Sequence, residues 1–161
     1  MDFLDIAKEM ETQAIRIYTQ LANDVPLPQL KGVFSVLADE EHRHLELFTA
    51  MQKNASTAPV DVNILVRARE LLSKWDTGFR APETLASYET AYRKGMDSEK
   101  EAVEFYSTEK TKISDPLQRK VLETIIDQEK RHIVLFENLI EFVRKPKQWV
   151  EDAEFGTLGD Y

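Results

Sequence analysis

The chain reads as an all-α protein, a four-helix bundle made of two helical hairpins joined by a long crossover. Three observations predict this. Apolar residues recur at alternating steps of three and four along most of the sequence, the stripe of a core-facing helix, while period-two strand patterns are scarce. Only five glycines and six prolines interrupt 161 residues. The breaks that do occur leave four long periodic segments, with one extended connection between the second and the third.

The first helix is expected from Asp2, its N-cap, to about Asn23, with Leu4, Ala7, Glu11, Ala14, Tyr18 and Leu21 facing inward. Asn23-Asp24-Val25-Pro26-Leu27-Pro28 ends it and opens the next, with Pro28 near the first helical position. The second helix runs to about Lys53 through Leu30, Val33, Phe34, Leu37, Glu41, His44, Phe48 and Met51. Residues 54–82 form the crossover, far longer than a bundle hairpin needs, with a short amphipathic helix from Asp61 to about Trp75. A third long helix runs from Pro82 to about Lys112, inward at Leu85, Tyr88, Tyr92, Gly95, Glu99, Ala102 and Tyr106. Asp115-Pro116 supplies the N-cap and first position of the fourth. That helix runs to about Lys145 through Val121, Leu122, Ile125, Glu129, His132, Phe136, Leu139 and Val143. The bundle domain is thus expected over 1–145. Residues 146–161 are read as a C-terminal tail with Trp149, Phe155 and Tyr161 as aromatic anchors.

Composition narrows the function. Lys and Arg total 21 against 29 Asp and Glu, a net charge of −8, which argues against nucleic-acid or anionic-membrane partners. No run of about 18 apolar residues is present, so no membrane span is expected. The acidic start, Met1-Asp2-Phe3-Leu4-Asp5, is unlike a secretory signal, so the cytoplasm is the expected location. There is no cysteine, which excludes disulfides, thiolate metal sites and a thiol nucleophile.

The two hairpins are copies of each other. A shift of 88 residues, without a gap, matches Glu11 to Glu99, Ala14 to Ala102, Tyr18 to Tyr106 and Pro28 to Pro116. It also matches Asp39 to Asp127, Glu41 to Glu129, Arg43 to Arg131, His44 to His132 and Phe48 to Phe136. Over positions 11–48 there are 11 identities in 38, where ordinary residue usage would give about two. A duplicated hairpin predicts a bundle with two-fold pseudosymmetry.

The matched residues carry the chemistry. Glu11, Glu41, Glu99 and Glu129 stand on otherwise apolar stripes, and four buried unpaired carboxylates are prohibitive unless something compensates them. Two of them open a Glu-x-x-His spacing, Glu41 to His44 and Glu129 to His132, which puts both side chains on one helical face. One glutamate from each of two helices, with Glu-x-x-His from each of the others, is the ligand set of dinuclear carboxylate bundles. Two divalent cations would neutralise the four carboxylates. Oxygen and imidazole ligands suit two iron ions, with manganese or zinc as alternatives. Metal is then expected to stabilise the fold. Tyr18 and Tyr106 follow Glu11 and Glu99 by two turns, and a buried phenol needs an acceptor. They are read as catalytic-site residues that hydrogen-bond a ligand carboxylate on a neighbouring helix and can donate a proton or an electron. Glu40 and Gln128 precede the Glu-x-x-His motifs and are read as acceptors for the far histidine nitrogens. His42 is read as a surface residue, and Asp39/Arg43 and Asp127/Arg131 as intrahelical ion pairs.

These motifs, over about residues 1–145, resemble the ferritin superfamily and, within it, the rubrerythrin-like proteins. The resemblance rests on Met10-Glu11 followed by Tyr18, on Asp39-Glu40-Glu41-His42-Arg43-His44, on Glu99 followed by Tyr106, and on Asp127-Gln128-Glu129-Lys130-Arg131-His132. It implies a ferritin-like bundle and a diiron centre. Glu41 and Glu129 would bridge the metals, Glu11 and Glu99 would be terminal ligands, and His44 and His132 would complete one metal each. It also implies reduction of hydrogen peroxide or dioxygen, a homodimer and, since cysteine is absent, a separate electron-donor protein. The extra glutamate that rubrerythrins carry one turn after the third-helix ligand is here Ala102, as in ferritin-type ligand sets. Iron handling by a ferroxidase or storage protein is therefore a rival reading. A metal-stabilised interaction module, using the crossover or tail, is another.

Overall fold

The computed structural model describes residues 2–55, 58–59, 63–73 and 87–144. Among these there are five helices and no strand: α1 (Phe3–Asp24), α2 (Pro28–Gln52), α3 (Ile64–Leu72), α4 (Glu89–Lys110) and α5 (Pro116–Arg144). Asp2 caps α1 by accepting from the Asp5 amide at 2.9 Å, and Asp115 accepts from the Leu117 amide at 2.9 Å at the head of α5. Pro28 takes the first position of α2, where its missing N–H costs nothing. At the other end of that turn, Lys31 Nζ donates to the Ala22 and Asn23 carbonyls, which α1 leaves unpaired.

α1 pairs with α2 and α4 with α5 as antiparallel hairpins, and α3 lies across α2 and α5. The inward stripes of α2 and α5 are buried at every position named from the periodicity. Among the described residues α4 is α-helical from Glu89. A 3₁₀ turn at 87–88 leads into it, with Tyr88 at φ −85°, ψ −7°. The Tyr88 hydroxyl donates to the Asp24 carbonyl at 2.7 Å, tying this entry to the α1–α2 turn. The expected helix start at Pro82, the inward Leu85, the ends of the crossover helix at Asp61 and Trp75, and the tail at 146–161 lie outside the described residues.

The core is split in two. One apolar cluster joins Tyr18, Leu21, Phe34, Leu37, Tyr92, Phe136 and Leu139, and α3 extends it through Ile64, Leu65, Ala68 and Leu72. The other joins Ala7, Leu47, Phe48, Met51, Ala102, Tyr106, Val121 and Leu122. Repeat mates fall in opposite clusters: Tyr18 and Tyr106, Val33 and Val121, Leu47 and Leu135, Phe48 and Phe136. The pseudo-two-fold axis therefore crosses the bundle and exchanges its ends. Along all four long helices, the residues between the clusters are the inward glutamates and histidines. Burying large side chains at about 1.5–3 kcal/mol each on either side gives that polar layer two apolar walls.

Packing is tight beside it. A Cβ on Gly95 would lie 2.7 Å from Cζ of Phe136, so only glycine lets that ring close against α4.

Candidate metal centre

Glu11 comes from α1, Glu41 and His44 from α2, Glu99 from α4, and Glu129 and His132 from α5, and none is more than 2% exposed. Among the described residues they form two groups able to hold a metal ion. One is Glu11, Glu41, His44 and Glu129; the other is Glu41, Glu99, Glu129 and His132. Within each group the ligand atoms lie within 4.8 Å of one another, and Glu41 and Glu129 belong to both.

Nδ1 of His44 is 2.9 Å from Glu129 Oε1 and 3.5 Å from Glu11 Oε1. Nδ1 of His132 is 2.8 Å from Glu41 Oε1 and 3.2 Å from Glu99 Oε1. The two imidazoles stack 6.2 Å apart, 19° from parallel. Each thus turns Nδ1 toward the acids and Nε2 away from them. Behind them, His44 Nε2 meets Gln128 Oε1 at 2.7 Å and His132 Nε2 meets Glu40 Oε1 at 3.1 Å. An acceptor there keeps the proton on Nε2 and leaves the Nδ1 lone pair facing the acids, the tautomer a metal ligand needs.

The tyrosines donate crosswise. Tyr18 of α1 gives its hydroxyl proton to Glu99 Oε1 of α4, and Tyr106 of α4 donates to Glu11 Oε1 of α1 at 2.8 Å. Each glutamate supplied by a single-motif helix is thus held by the other such helix. Arg43 approaches Glu40, at 3.9 Å, rather than the expected Asp39; the two acids lie three and four residues before it, and both spacings are within reach on a helix. His42 is exposed, as a helix position turned from the core should be.

The donor set fits a cation. Glu11 Oε2, both oxygens of Glu41, Glu99 Oε2 and Glu129 Oε1 are buried without a hydrogen-bond partner. Two of these, Glu129 Oε1 and Glu41 Oε1, lie 2.9 and 2.8 Å from an imidazole Nδ1 without the alignment of a hydrogen bond, so candidate donor atoms crowd toward common points. Without metal, protons must do the neutralising. Burial, reinforced by Glu41, holds the Glu11 and Glu129 carboxyls well above the usual range. Burial also raises Glu41, but the neighbouring Glu11 carboxyl, which keeps its proton, and the His132 imidazole outweigh it and hold Glu41 well below that range. For the histidines burial acts downward, yet the surrounding carboxylates, Glu11 and Glu129 at His44 and Glu99 and Glu40 at His132, push both well upward. Burial, with Glu99 at Tyr18 and Glu11 at Tyr106, raises both phenols far above their ordinary value.

One cleft of about 80 Å³ reaches this layer from the side, between α1 and α4. It starts at the exposed Gln13, Ser98 and Glu101, passes Ala14 and Ala102, and ends on Glu11, Glu41, Glu99 and Glu129. That space admits a few molecules the size of water or peroxide.

The family model described as Rubrerythrin matches residues 2–140, nearly the whole described bundle. The chain belongs to the rubrerythrin family. It matches no curated protein and no solved structure. As a rubrerythrin-family bundle it carries the buried carboxylate and histidine cluster that suits a dinuclear metal site. Among the described residues no helix is long and apolar enough to cross a membrane. Reading by stripes alone placed Glu40 and Gln128 beside the inward face. Both are in fact buried, at 1% and 2% exposure, and the 88-residue shift was the signal that paired them.

Proposed function

We propose that this chain is a non-haem diiron oxidoreductase that reduces hydrogen peroxide or dioxygen with electrons from a separate donor protein. The observation that carries the reading is the pair of four-residue groups sharing Glu41 and Glu129, buried between two apolar clusters and reached by a narrow side cleft. In this reading Glu41 and Glu129 would serve both ions, Glu11 and His44 would hold one, and Glu99 and His132 would hold the other. Two ferrous ions bound there would supply two electrons and Lewis acidity to the oxidant. Manganese or zinc would suit the same ligands.

The chain's own residues do the rest. Reduction of hydrogen peroxide to two waters takes two protons as well as two electrons. Tyr18 and Tyr106 keep their phenolic protons at neutral pH and hold them against ligand oxygens, where they orient Glu99 and Glu11 and stand as proton sources. The apolar clusters exclude bulk water from both ends, and the small side chains of Ala14 and Ala102 leave the lateral path open to a small oxidant. The protein would act as a homodimer in the cytoplasm, and neither nucleic acid nor membrane is a partner in this reading.

Stopped-flow mixing of the diferrous protein with peroxide and, separately, with dioxygen tests the proposal. Rapid ferric absorbance with at least one oxidant is expected; oxidation by neither would sink it. Ala102, buried where rubrerythrins carry a further glutamate, favours one second reading, a ferroxidase or iron-handling protein. Gel filtration separates the storage form of that reading, which needs a many-subunit shell, from a dimer. An inert metal-stabilised interaction module has a distinct signature: Glu41→Ala would abolish metal binding and leave the cellular phenotype intact.

A further inference from the structure

The two halves of the centre have chemically identical ligands: one glutamate and one histidine each, with Glu41 and Glu129 in common. What lies behind the histidines differs. Nε2 of His132 faces a carboxylate oxygen of Glu40 at 3.1 Å, whereas Nε2 of His44 faces the amide oxygen of Gln128 at 2.7 Å. Glu40 and Gln128 are mates under the 88-residue shift and are both buried. The duplication has kept the six ligand-type residues and both tyrosines identical, so this substitution is the one polar asymmetry among the buried residues described at the centre; the exposed mouth of the cleft differs as well, at Gln13 and Glu101.

A charged acceptor acts on its histidine more strongly than a neutral one. It polarises the Nε2–H bond, raises electron density on Nδ1 and adds negative charge near the ion. Arg43 offsets little of it: the guanidinium is 3.9 Å away and 39% exposed, and Glu40 Oε2 has no hydrogen-bond partner. We propose that Glu40 makes the His132 position the tighter of the two metal positions, so that the centre fills from that side first. The inference rests on reading the cluster as a dinuclear metal centre. Glu40 is here a positioning residue, acting on the ion through His132.

The two ions share Glu41 and Glu129, so the first weakens the second whatever lies behind the histidines. The comparison therefore belongs on chains with one position disabled. Glu11→Ala leaves the His132 position and Glu99→Ala leaves the His44 position; each also frees one tyrosine, so the pair is matched. Cobalt(II), titrated into the metal-free chains and followed by visible absorption and calorimetry, should bind Glu11→Ala with a Kd about 10–100-fold lower. Adding Glu40→Gln to Glu11→Ala should remove that advantage, and adding Gln128→Glu to Glu99→Ala should create it. Circular dichroism checks folding. If a disabled chain fails to fold, Glu40→Gln in the otherwise intact chain should weaken the first binding event by the same factor. Equal Kd values for the two disabled chains, or a first event that Glu40→Gln leaves unchanged, would overturn the proposal and leave the metal centre standing. An intact chain that binds no cobalt at all would instead remove the metal-centre reading, and this inference with it.

Discussion

Removing metal should reverse the direction in which this fold responds to pH. In the metal-free chain Glu11, Glu129, His44 and His132 all hold protons more tightly than free side chains do, whose ordinary values are 4.5 and 6.5. Such a group favours the fold below its unfolded pKa and loses that contribution as pH rises through its folded pKa. The metal-free fold should therefore weaken from 4.5 upward through the two carboxyls and from 6.5 upward through the two imidazoles. Glu41 has the opposite sign: its contribution is present above 4.5 and is lost as pH falls through its depressed pKa. Metal-free stability thus peaks in the mildly acidic range. Bound cations demand the same ligands without protons, so the metal-replete chain gains as pH rises and loses its ions as pH falls. At an ion concentration of about 100 times the stepwise Kd of each ion, the first contributes about 2.7 kcal/mol and the two together about 5 kcal/mol. For a domain of this size that is a rise in Tm of about 10–20 °C. The assay is thermal unfolding by circular dichroism under anaerobic ferrous or manganous ion and under chelator, at about pH 5 and about pH 8. The gap should be near its full value at the higher pH and small at the lower. A Tm indifferent to chelation at both pH values, or a metal-free chain that becomes more stable toward alkaline pH, would refute the reasoning.

Because Glu41 stands in both ligand groups, Glu41→Ala should empty both positions, whereas Glu11→Ala should leave one ion per chain; elemental analysis of the purified variants distinguishes the two. Tyr106→Phe removes the donor to Glu11 Oε1, leaving a buried oxygen unpaired at a cost of about 1–3 kcal/mol, measurable by denaturant unfolding of the metal-free chain; an unchanged midpoint would count against the hydrogen bond. Gly95→Ala puts a methyl 2.7 Å from the Phe136 ring, and the overpacking of about 1–3 kcal/mol should outweigh the helix-propensity gain of about 1 kcal/mol, so the variant should melt lower.

Much of the centre was legible before any coordinates. The polar residues on the inward stripes, Glu11, Glu41, His44, Glu99, Glu129 and His132, follow from spacing, and a second copy at a constant shift makes coincidence a poor account of them. The burial of Tyr18 and Tyr106 follows in the same way. Glu40 and Gln128 were harder, since each is adjacent to a stripe position and its burial depends on how closely α2 and α5 approach. The Asp39–Arg43 expectation failed for a related reason. Helical spacing brings Arg43 within reach of both acids, and only the packed fold decides which one it approaches.

Helical period and duplication in the chain determine which side chains leave water, because 3.6 residues per turn assigns every position to a face whatever the partner helix. They also determine that what leaves water includes four acids whose charge must be offset. Tertiary structure alone decides which polar atom meets which: Tyr18 to Glu99, Tyr106 to Glu11, Glu40 to His132 and Gln128 to His44. These pairs are separated by 81 to 95 residues, and such partners are set by how helices cross in space. The same crossing leaves a lateral cleft at Ala14 and Ala102 and puts a carboxylate behind one histidine and an amide behind the other.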